Sequence, residues 1–284
     1  MTVKRASRDV YAQIGRGDSI YDGWGANQGF VSTTEGVVVV DTGFTSGSAG
    51  ALLRDIKSRR APVRFVINTH DHSDHVFGNS LFDKSSAVIL SHSNCKSRLI
   101  EMGEERITGY RRFDARLRSA LKGLSISPPQ VTYEERVELN VGETKLRLIH
   151  PKDGAHTKGD TMVLLPDERV LFSGDVVWAS YHPNLEDANI EGWIEALNGI
   201  SKMDVELIVP GHGPVTDRSA IAPLAEYLRA FDDRFRKLVV SGVPRKRMAG
   251  ELEIPGTENW KLKMIVARNV EMLYERYRDL LLSP

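Results

Sequence analysis

Val63-Arg64-Phe65-Val66-Ile67-Asn68-Thr69-His70-Asp71-His72-Ser73-Asp74-His75 is the stretch from which the architecture of this chain can be read. Its first five residues form a short β-branched and aromatic run, the signature of a strand. Three histidines and two aspartates then fall within six residues. In a chain of 284 residues with 8 His, the pattern His-x-His-x-Asp-His arises by chance in about 4 of ten thousand shuffled sequences. Along an extended backbone, residues i and i+2 point the same way, so His70 and His72 can grip one cation together. Asp74 and His75 come after the turn and can face a second ion beside it. Neutral imidazoles with a carboxylate suit Zn2+ and, less selectively, iron or manganese. As a plain structural feature, the same loop would be a polar turn with Asp74 capping a helix, and the two roles are compatible.

Outward from this loop, Gly36–Val40 reads as a strand that ends in Asp41-Thr42-Gly43, and Ser48–Arg60 reads as a helix with Leu52, Leu53 and Ile56 on one side. Short apolar runs alternating with helices predict an α/β architecture. Further strands are expected at Lys145–Ile149, Thr161–Leu165, Val170–Phe172 and Val205–Val209. A ligand-type side chain stands close to each of these strands. His156 lies in Gly154-Ala155-His156-Thr157-Lys158-Gly159-Asp160, Asp175 in Ser173-Gly174-Asp175, and His212 in Pro210-Gly211-His212-Gly213-Pro214. Open α/β folds gather their sites just past strand ends.

Two helical additions are expected. In the first, about residues 93–125, Leu99, Met102, Tyr110, Phe113, Leu117 and Leu121 recur mostly at helical spacing amid Arg98, Arg106, Arg111, Arg112, Arg116 and Arg118. Those arginines are either a solvated helix face or a cover over the site that selects an anionic substrate. The second is a tail over about 218–284. There Ile221, Leu224, Leu228, Phe231, Phe235 and Leu238 form one stripe, and Val266, Val270, Leu273, Tyr277 and Leu280 another. The expectation is one domain over 1–284 carrying both additions.

Hydrophobic residues make up 41% and charged residues 27%, enough to bury a core. Lys+Arg and Asp+Glu are 38 each, so a surface devoted wholly to nucleic acid or anionic membrane is excluded. Cys95 is the single cysteine, which excludes a disulfide framework and Cys-based zinc modules. The first residues carry no apolar secretory run, and no apolar stretch nears the ~20 residues of a membrane span. The expectation is a cytoplasmic protein with a small-molecule substrate, no nucleic-acid partner and no membrane association, with oligomerisation left open. Walker A and dinucleotide fingerprints are absent, and Ser173 does not sit in a nucleophile elbow.

Together, Asp41-Thr42-Gly43, Asn68 to His75, His156 to Asp160, Leu171 to Asp175 and Pro210 to Gly213 resemble, in order, the motifs of the metallo-β-lactamase superfamily. The resemblance covers roughly residues 25 to 215. It implies a four-layer αββα sandwich of two mixed β-sheets with outer helices and a two-metal site at one edge. Carried over position by position, it implies that His70, His72 and His156 hold the first metal, that Asp74, His75 and His212 hold the second, and that Asp175 bridges them. It also implies that Asp41 orients a ligand; the bland role for Asp41 is a turn former.

The activity implied is hydrolysis by a hydroxide bound to two metal ions, most simply zinc, with Asp74 orienting the nucleophile or carrying its proton. The substrate expected is a small carboxylic ester, lactone, thioester or amide. Departures narrow the family. Asp175 stands where one group of β-lactamases has a cysteine and another has no bridging ligand, so antibiotic hydrolysis is not expected as the native role. Val176-Val177-Trp178 differs from the homoserine-lactone lactonases, which place a tyrosine soon after the bridging aspartate. The residues after His212 differ from those of glyoxalase II. A mononuclear iron dioxygenase acting on a thiol or persulfide, and a phosphodiester nuclease, are the alternatives. Trp178, Tyr181 and His182 are expected in a loop that either walls the pocket or, for Trp178, packs into the sandwich edge.

Overall fold

Val37 to Val40 show how the layers are built. Successive side chains of a strand point to opposite faces. Val38 and Val40 enter a core between two sheets, while Val37 and Val39 pack outward against helices. Burying one such side chain contributes about 1.5–3 kcal/mol. An unbroken valine run therefore belongs in a strand covered on both sides.

The computed structural model describes residues 3–83 and 87–282. The first sheet holds β1 (Val3–Arg5), β2 (Val10–Gln13), β3 (Gln28–Thr33), β4 (Gly36–Val40), β5 (Val63–Ile67), β6 (Val88–His92) and β7 (Val131–Tyr133) side by side in chain order. Pairing is antiparallel from β1 to β4 and parallel from β4 to β7. The second sheet holds β8 (Arg136–Val141), β9 (Thr144–Ile149), β10 (Met162–Leu165), β11 (Val170–Trp178) and β12 (Leu207–His212), ordered β12-β11-β10-β9-β8. Only its β11–β12 pair is parallel. Val10, Val31 and Ile67 of the first sheet meet Leu146, Val163 and Val170 of the second across the seam.

Helices cover both outer faces. α1 (Ser46–Ser58) follows β4, and α2 (Ser73–Val76) and α3 (Asn79–Asp83) follow β5. Leu52, Ile56 and Phe82 pack on the first sheet. α4 (Ser93–Phe113) and α5 (Ala115–Ala120) join β6 to β7, and α6 (Ile190–Ser201) joins β11 to β12. α7 (Ile221–Val240), α8 (Arg245–Glu251) and α9 (Ile265–Leu282) complete the chain. Trp193, Leu224, Phe231, Phe235 and Val270 close the second sheet from outside. This is the αββα sandwich with a helical C-terminal region that the motif order implied.

Several boundaries differ from expectation. α1 starts at Ser46, because Thr45 and Ser48 cap it reciprocally at 3.0 and 3.1 Å. β11 continues to Trp178, and β12 runs from Leu207 through His212, so Asp175 and His212 lie within strands rather than beyond them. The cause is a register shift at Gly174, after which the parallel pairing resumes. Gly174 has φ +51°, and a Cβ there would stand 2.6 Å from Thr69 Cβ, so only glycine lets β11 lie against the His70 loop. The α9 stripe ends at Tyr277, since Leu280 is 66% exposed. α4 is kinked at Gly103, and α5 restarts where Asp114 Oδ1 accepts from Leu117 N at 2.7 Å. Leu99, Ile107, Leu117 and Leu121 bury against Phe44 and Phe77, which lays this insertion over α2.

Candidate metal centre

His70 to His75 leave β5 through Asn68-Thr69 and enter α2 at Ser73. His156 lies between β9 and β10, Asp175 within β11, and His212 at the end of β12. The structure brings all seven expected ligand residues to one edge of the sandwich, and all seven are buried. His70, His72, His156 and Asp175 each offer one ligand atom within 4.8 Å of the others, and so, separately, do Asp74, His75 and His212.

Each imidazole is anchored by its outer nitrogen. His156 Nδ1 donates to the Asn184 carbonyl at 3.1 Å, and His212 Nδ1 to the Trp24 carbonyl at 3.1 Å. His75 Nδ1 donates to Asp41 Oδ2 at 2.8 Å, and His72 Nε2 to Asp187 Oδ2 at 3.3 Å. The Thr69 hydroxyl donates to Asp41 Oδ2 at 2.7 Å, so it accepts from His70 Nδ1 at 3.0 Å. With the outer nitrogens committed to these partners, five inward ring nitrogens are left facing one another. Asp175 stands among them, 3.1 Å from His75 Nε2, 3.2 Å from His156 Nε2, 3.5 Å from His212 Nε2 and 3.6 Å from His70 Nε2. Asp74 Oδ2 is 3.3 Å from His212 Nε2.

This arrangement fits divalent cations. Nε2 of His70, His75 and His212 and Oδ1 of Asp175 are buried and make no hydrogen bond among the described residues. Orphaned buried polar atoms cost about 1–3 kcal/mol each, so four at one point are a strong deficit. His72 Nδ1 and His156 Nε2 lie 2.9 Å apart with their outer protons already committed elsewhere. An ion between inward lone pairs removes all of these conflicts at once.

Electrostatics agree. Burial opposes a charge on Asp175, but the His212, His75, His70 and His156 imidazoles hold its carboxyl well below the usual range. Burial drives His156 down to about 3 and keeps His70 well below its ordinary value, leaving both neutral and basic in the ligand sense. His212 differs: burial opposes charge, but the carboxylates of Asp175 and Asp74 outweigh it and raise the pKa to about 9, so without a cation its inward nitrogen carries a proton that an ion would displace.

Asp41 fills both of its expected roles. Its backbone turns at φ +58°, and its carboxylate aims His75 and accepts from Thr69 N at 2.8 Å. Asp160, though part of the His156 motif, has a role that the sequence reading did not assign: it accepts from Ala155 N, Thr157 N and the Thr157 hydroxyl, shaping the His156 loop. Asp187 and Trp24 were missed because each acts on a ligand distant in sequence.

The ligand groups lie at the floor of a cavity of 570 Å³, lined there by His72, Asp74, Asp175 and His212. Trp178 is not in a loop; it ends β11 and stacks on His212 with ring centres 3.9 Å apart, lining the cavity while 3% exposed. Tyr181 and His182 turn away from it. Tyr181 donates to the Gly17 carbonyl, and His182 meets the Tyr227 hydroxyl. α4 supplies the opposite side of the cavity, including Arg98 and Arg106. Among the described residues no helix is long and apolar enough to cross a membrane.

A mixed-sheet αββα sandwich with seven histidine and aspartate groups at one edge defines a class of metal-dependent proteins that is largely hydrolytic. The chain belongs to the metallo-beta-lactamase superfamily, whose family description matches residues 21–212. By sequence it is 31% identical over 181 residues to the 2,4-dinitroanisole O-demethylase subunit alpha of Nocardioides sp., covering 62% of this chain and 49% of that protein. The chain thus spans about half the length of that relative. It is 26% identical over 239 residues to the acyl-coenzyme A thioesterase MBLAC2 of Homo sapiens, covering 71% of this chain and 81% of that protein. By structure it resembles a metallo-beta-lactamase from Pontibacter korlensis, with a TM-score of 0.65 and 23% identity over 80% of this chain and 98% of that one. It also resembles the sec-alkylsulfatase Pisa1 from Pseudomonas sp., with a TM-score of 0.70 and 17% identity. That likeness extends over 97% of this chain, helical tail included, and 50% of the sulfatase. At such identities the structural likeness speaks for the fold alone.

Proposed function

We propose that this chain is a two-metal hydrolase of a small carboxylic ester, lactone, thioester or amide. The observation that carries the reading is the set of five inward imidazole nitrogens and two carboxylates gathered beside a cavity. His70, His72 and His156 would hold one ion, Asp74, His75 and His212 a second, and the Asp175 carboxylate would serve between them. The donor set suits zinc, with iron or manganese less selectively accommodated. Such ions, when bound, act as Lewis acids and lower the pKa of coordinated water from 15.7 to about 7.

The protein's own groups supply position and proton handling. Asp74 lines the cavity, and the oxygen of its carboxylate not engaged with a metal could receive the proton of the attacking water and hand it to the leaving group. Trp178 over His212 keeps that corner of the floor dry. Among the described residues, Cys95 and Ser173 are not placed to act as nucleophiles. Cys95 is fully buried, and burial pushes its thiol well up, away from the reactive thiolate. Ser173 is also fully buried and donates to the Gly174 carbonyl at 2.9 Å. A relative named as a thioesterase supports hydrolysis at an acyl bond.

Metal analysis combined with a panel of lactones, esters, thioesters and phosphodiesters tests the reading. About two zinc ions per chain with turnover of an acyl substrate is the expected result. One iron per chain with oxygen uptake on a thiol, or cleavage of phosphodiesters alone, would overturn it.

A further inference from the structure

Above the ligand groups, Trp24, Tyr110, Phe113, Leu262 and Ile265 wall the cavity. They come from three separate parts of the chain: the segment before β3, the kinked insertion α4, and the C-terminal helical region. Two of them are held rigidly. The Phe44 ring lies 5.3 Å from Trp24 and 5.2 Å from Tyr110, and Trp24 and Tyr110 meet at 6.1 Å. Trp24 also sits at φ +52°, between Gly23 and Gly25 at +68° and +81°. That region is a costly place for a bulky side chain and persists only where the surroundings impose it. The same residue offers its carbonyl to His212 and its indole to the cavity, so the conformation aims a ligand-type imidazole and builds the wall together.

The three arginines of the lining are already paired with carboxylates. Arg98 is 3.7 Å from Asp187 and 3.4 Å from Glu101. Arg106 donates to the Asp71 carbonyl at 3.0 Å and reaches the Asp71 carboxylate at 3.4 Å. Arg268 pairs with Glu186 at 2.7 Å. Outside the ligand groups, these three arginines share the lining with Glu105, Glu186 and Asp187, so the charges cancel. An anionic group on a substrate would have to displace a carboxylate from an arginine and would then face that carboxylate across the cavity.

We propose, resting on the hydrolytic reading above, that this site selects a substrate whose non-reacting part is uncharged and apolar, an aryl or branched alkyl group seated against Trp24, Tyr110 and Phe113. It discriminates against anionic parts such as nucleotide phosphates or carboxylates. The arginines of α4 brace the site and do not bind the substrate's charge. The cavity volume, within the ordinary range for small-molecule pockets, suits a ring or branched chain beside the reacting group.

The test uses the full zinc-loaded chain and two acetates whose phenol leaving groups have nearly equal reactivity: 4-ethylphenyl acetate and 4-(carboxymethyl)phenyl acetate. The neutral ester should show a kcat/KM at least ~10-fold above that of the anionic one, the scale that pocket complementarity commonly supplies. Phe113→Lys places a cation on the wall at a residue that is 70% exposed, so the fold is not at stake. It should narrow the ratio by lowering turnover of the neutral ester and raising that of the anionic one. Equal rates, an anionic preference, or a ratio indifferent to Phe113→Lys overturns the proposal while leaving ester hydrolysis intact. If neither ester is cleaved, calorimetry with the uncleavable ketone 4-(4-ethylphenyl)butan-2-one and its carboxymethyl counterpart decides. Tighter binding of the neutral ketone, weakened by Phe113→Lys, upholds the apolar site and sinks only its use for aryl ester hydrolysis. Absence of that binding sinks the proposal.

Discussion

Asp41→Asn isolates the bond that aims His75. Asp41 Oδ2 accepts from His75 Nδ1 and from the Thr69 hydroxyl, while Oδ1 accepts from Thr69 N. Asparagine has nearly the same shape and tolerates the left-handed backbone at φ +58°, so the turn is unstrained by the change. It has only one acceptor oxygen. With that oxygen kept on Thr69 N, the new NH2 faces His75 Nδ1 and donates to it. The imidazole proton then moves to Nε2, directed at Asp175 and Asp74, where a lone pair is needed. Losing one charge-assisted hydrogen bond costs about 1.5–3 kcal/mol. Loss of an outer partner of a metal-ligating histidine typically weakens metal affinity about 10–100-fold, or ~1.4–2.7 kcal/mol. Competition against a chromophoric chelator reads both sites. The ion held by Asp74, His75 and His212 should weaken about 10–100-fold. The other ion should weaken less, since Asp41 reaches His70 only through Thr69. A folded variant that binds both ions as the wild type does would refute the claim that Asp41 sets the His75 tautomer.

Asp175→Asn removes the charge among four imidazoles; the second metal should be lost more readily than the first and kcat should fall at least ~10²-fold, or ~2.7 kcal/mol, measured as stoichiometry beside turnover. Metal uptake at pH 7 should release protons, because burial is outweighed by Asp175 and Asp74 and His212 is protonated up to about pH 9; a pH-indicator titration showing no release would contradict this. Because that pKa is raised, the chelator-treated fold keeps the full His212 contribution below about pH 6.5 and loses it as pH rises through about 9. Cys95→Ser should leave metal content and turnover unchanged, since Cys95 packs with Phe77 and Leu99 away from the ligands, while lowering Tm by roughly 2–4 °C; loss of metal with folding intact would place the thiol at the site.

The ligand cluster was legible because metal chemistry compresses it into six residues, and because the strands around it are continuous apolar runs such as Val63–Ile67. Of the strands that escaped notice, β6 carries the apolar run Val88-Ile89-Leu90, but others lack that signal. β8 alternates with Arg136, Glu138 and Asn140 on its open face, and β1 and β7 have three residues each. Asp175 was legible as a site residue but not as a strand residue, because its strand survives a glycine through pairing with β12, a partner more than thirty residues away. The outer partners Asp187, Asn184 and Trp24 were illegible for the same reason: they lie 115, 28 and 188 residues from the histidines they orient. The arginines of α4 looked like a choice between solvent and substrate. The structure gives Arg106 to Asp71 and Arg98 to Asp187, the first carboxylate beside two of the histidines and the second bonded to one, while Arg111 goes to the Leu121 and Leu124 carbonyls.

Each sheet is wound from one unbroken stretch, residues 3–133 and then 136–212, with the handover at exposed Glu134 and Glu135. The donor groups divide along the same line: His70, His72, Asp74 and His75 on one side, and His156, Asp175 and His212 on the other. A cation held between them would therefore be a removable clasp joining two separately wound halves. Cutting the backbone between Glu134 and Glu135 would leave each sheet whole and would turn metal affinity into an affinity between fragments. The strength with which the pieces rejoin, with and without zinc, would weigh the clasp directly against the valine and leucine seam that otherwise holds them together.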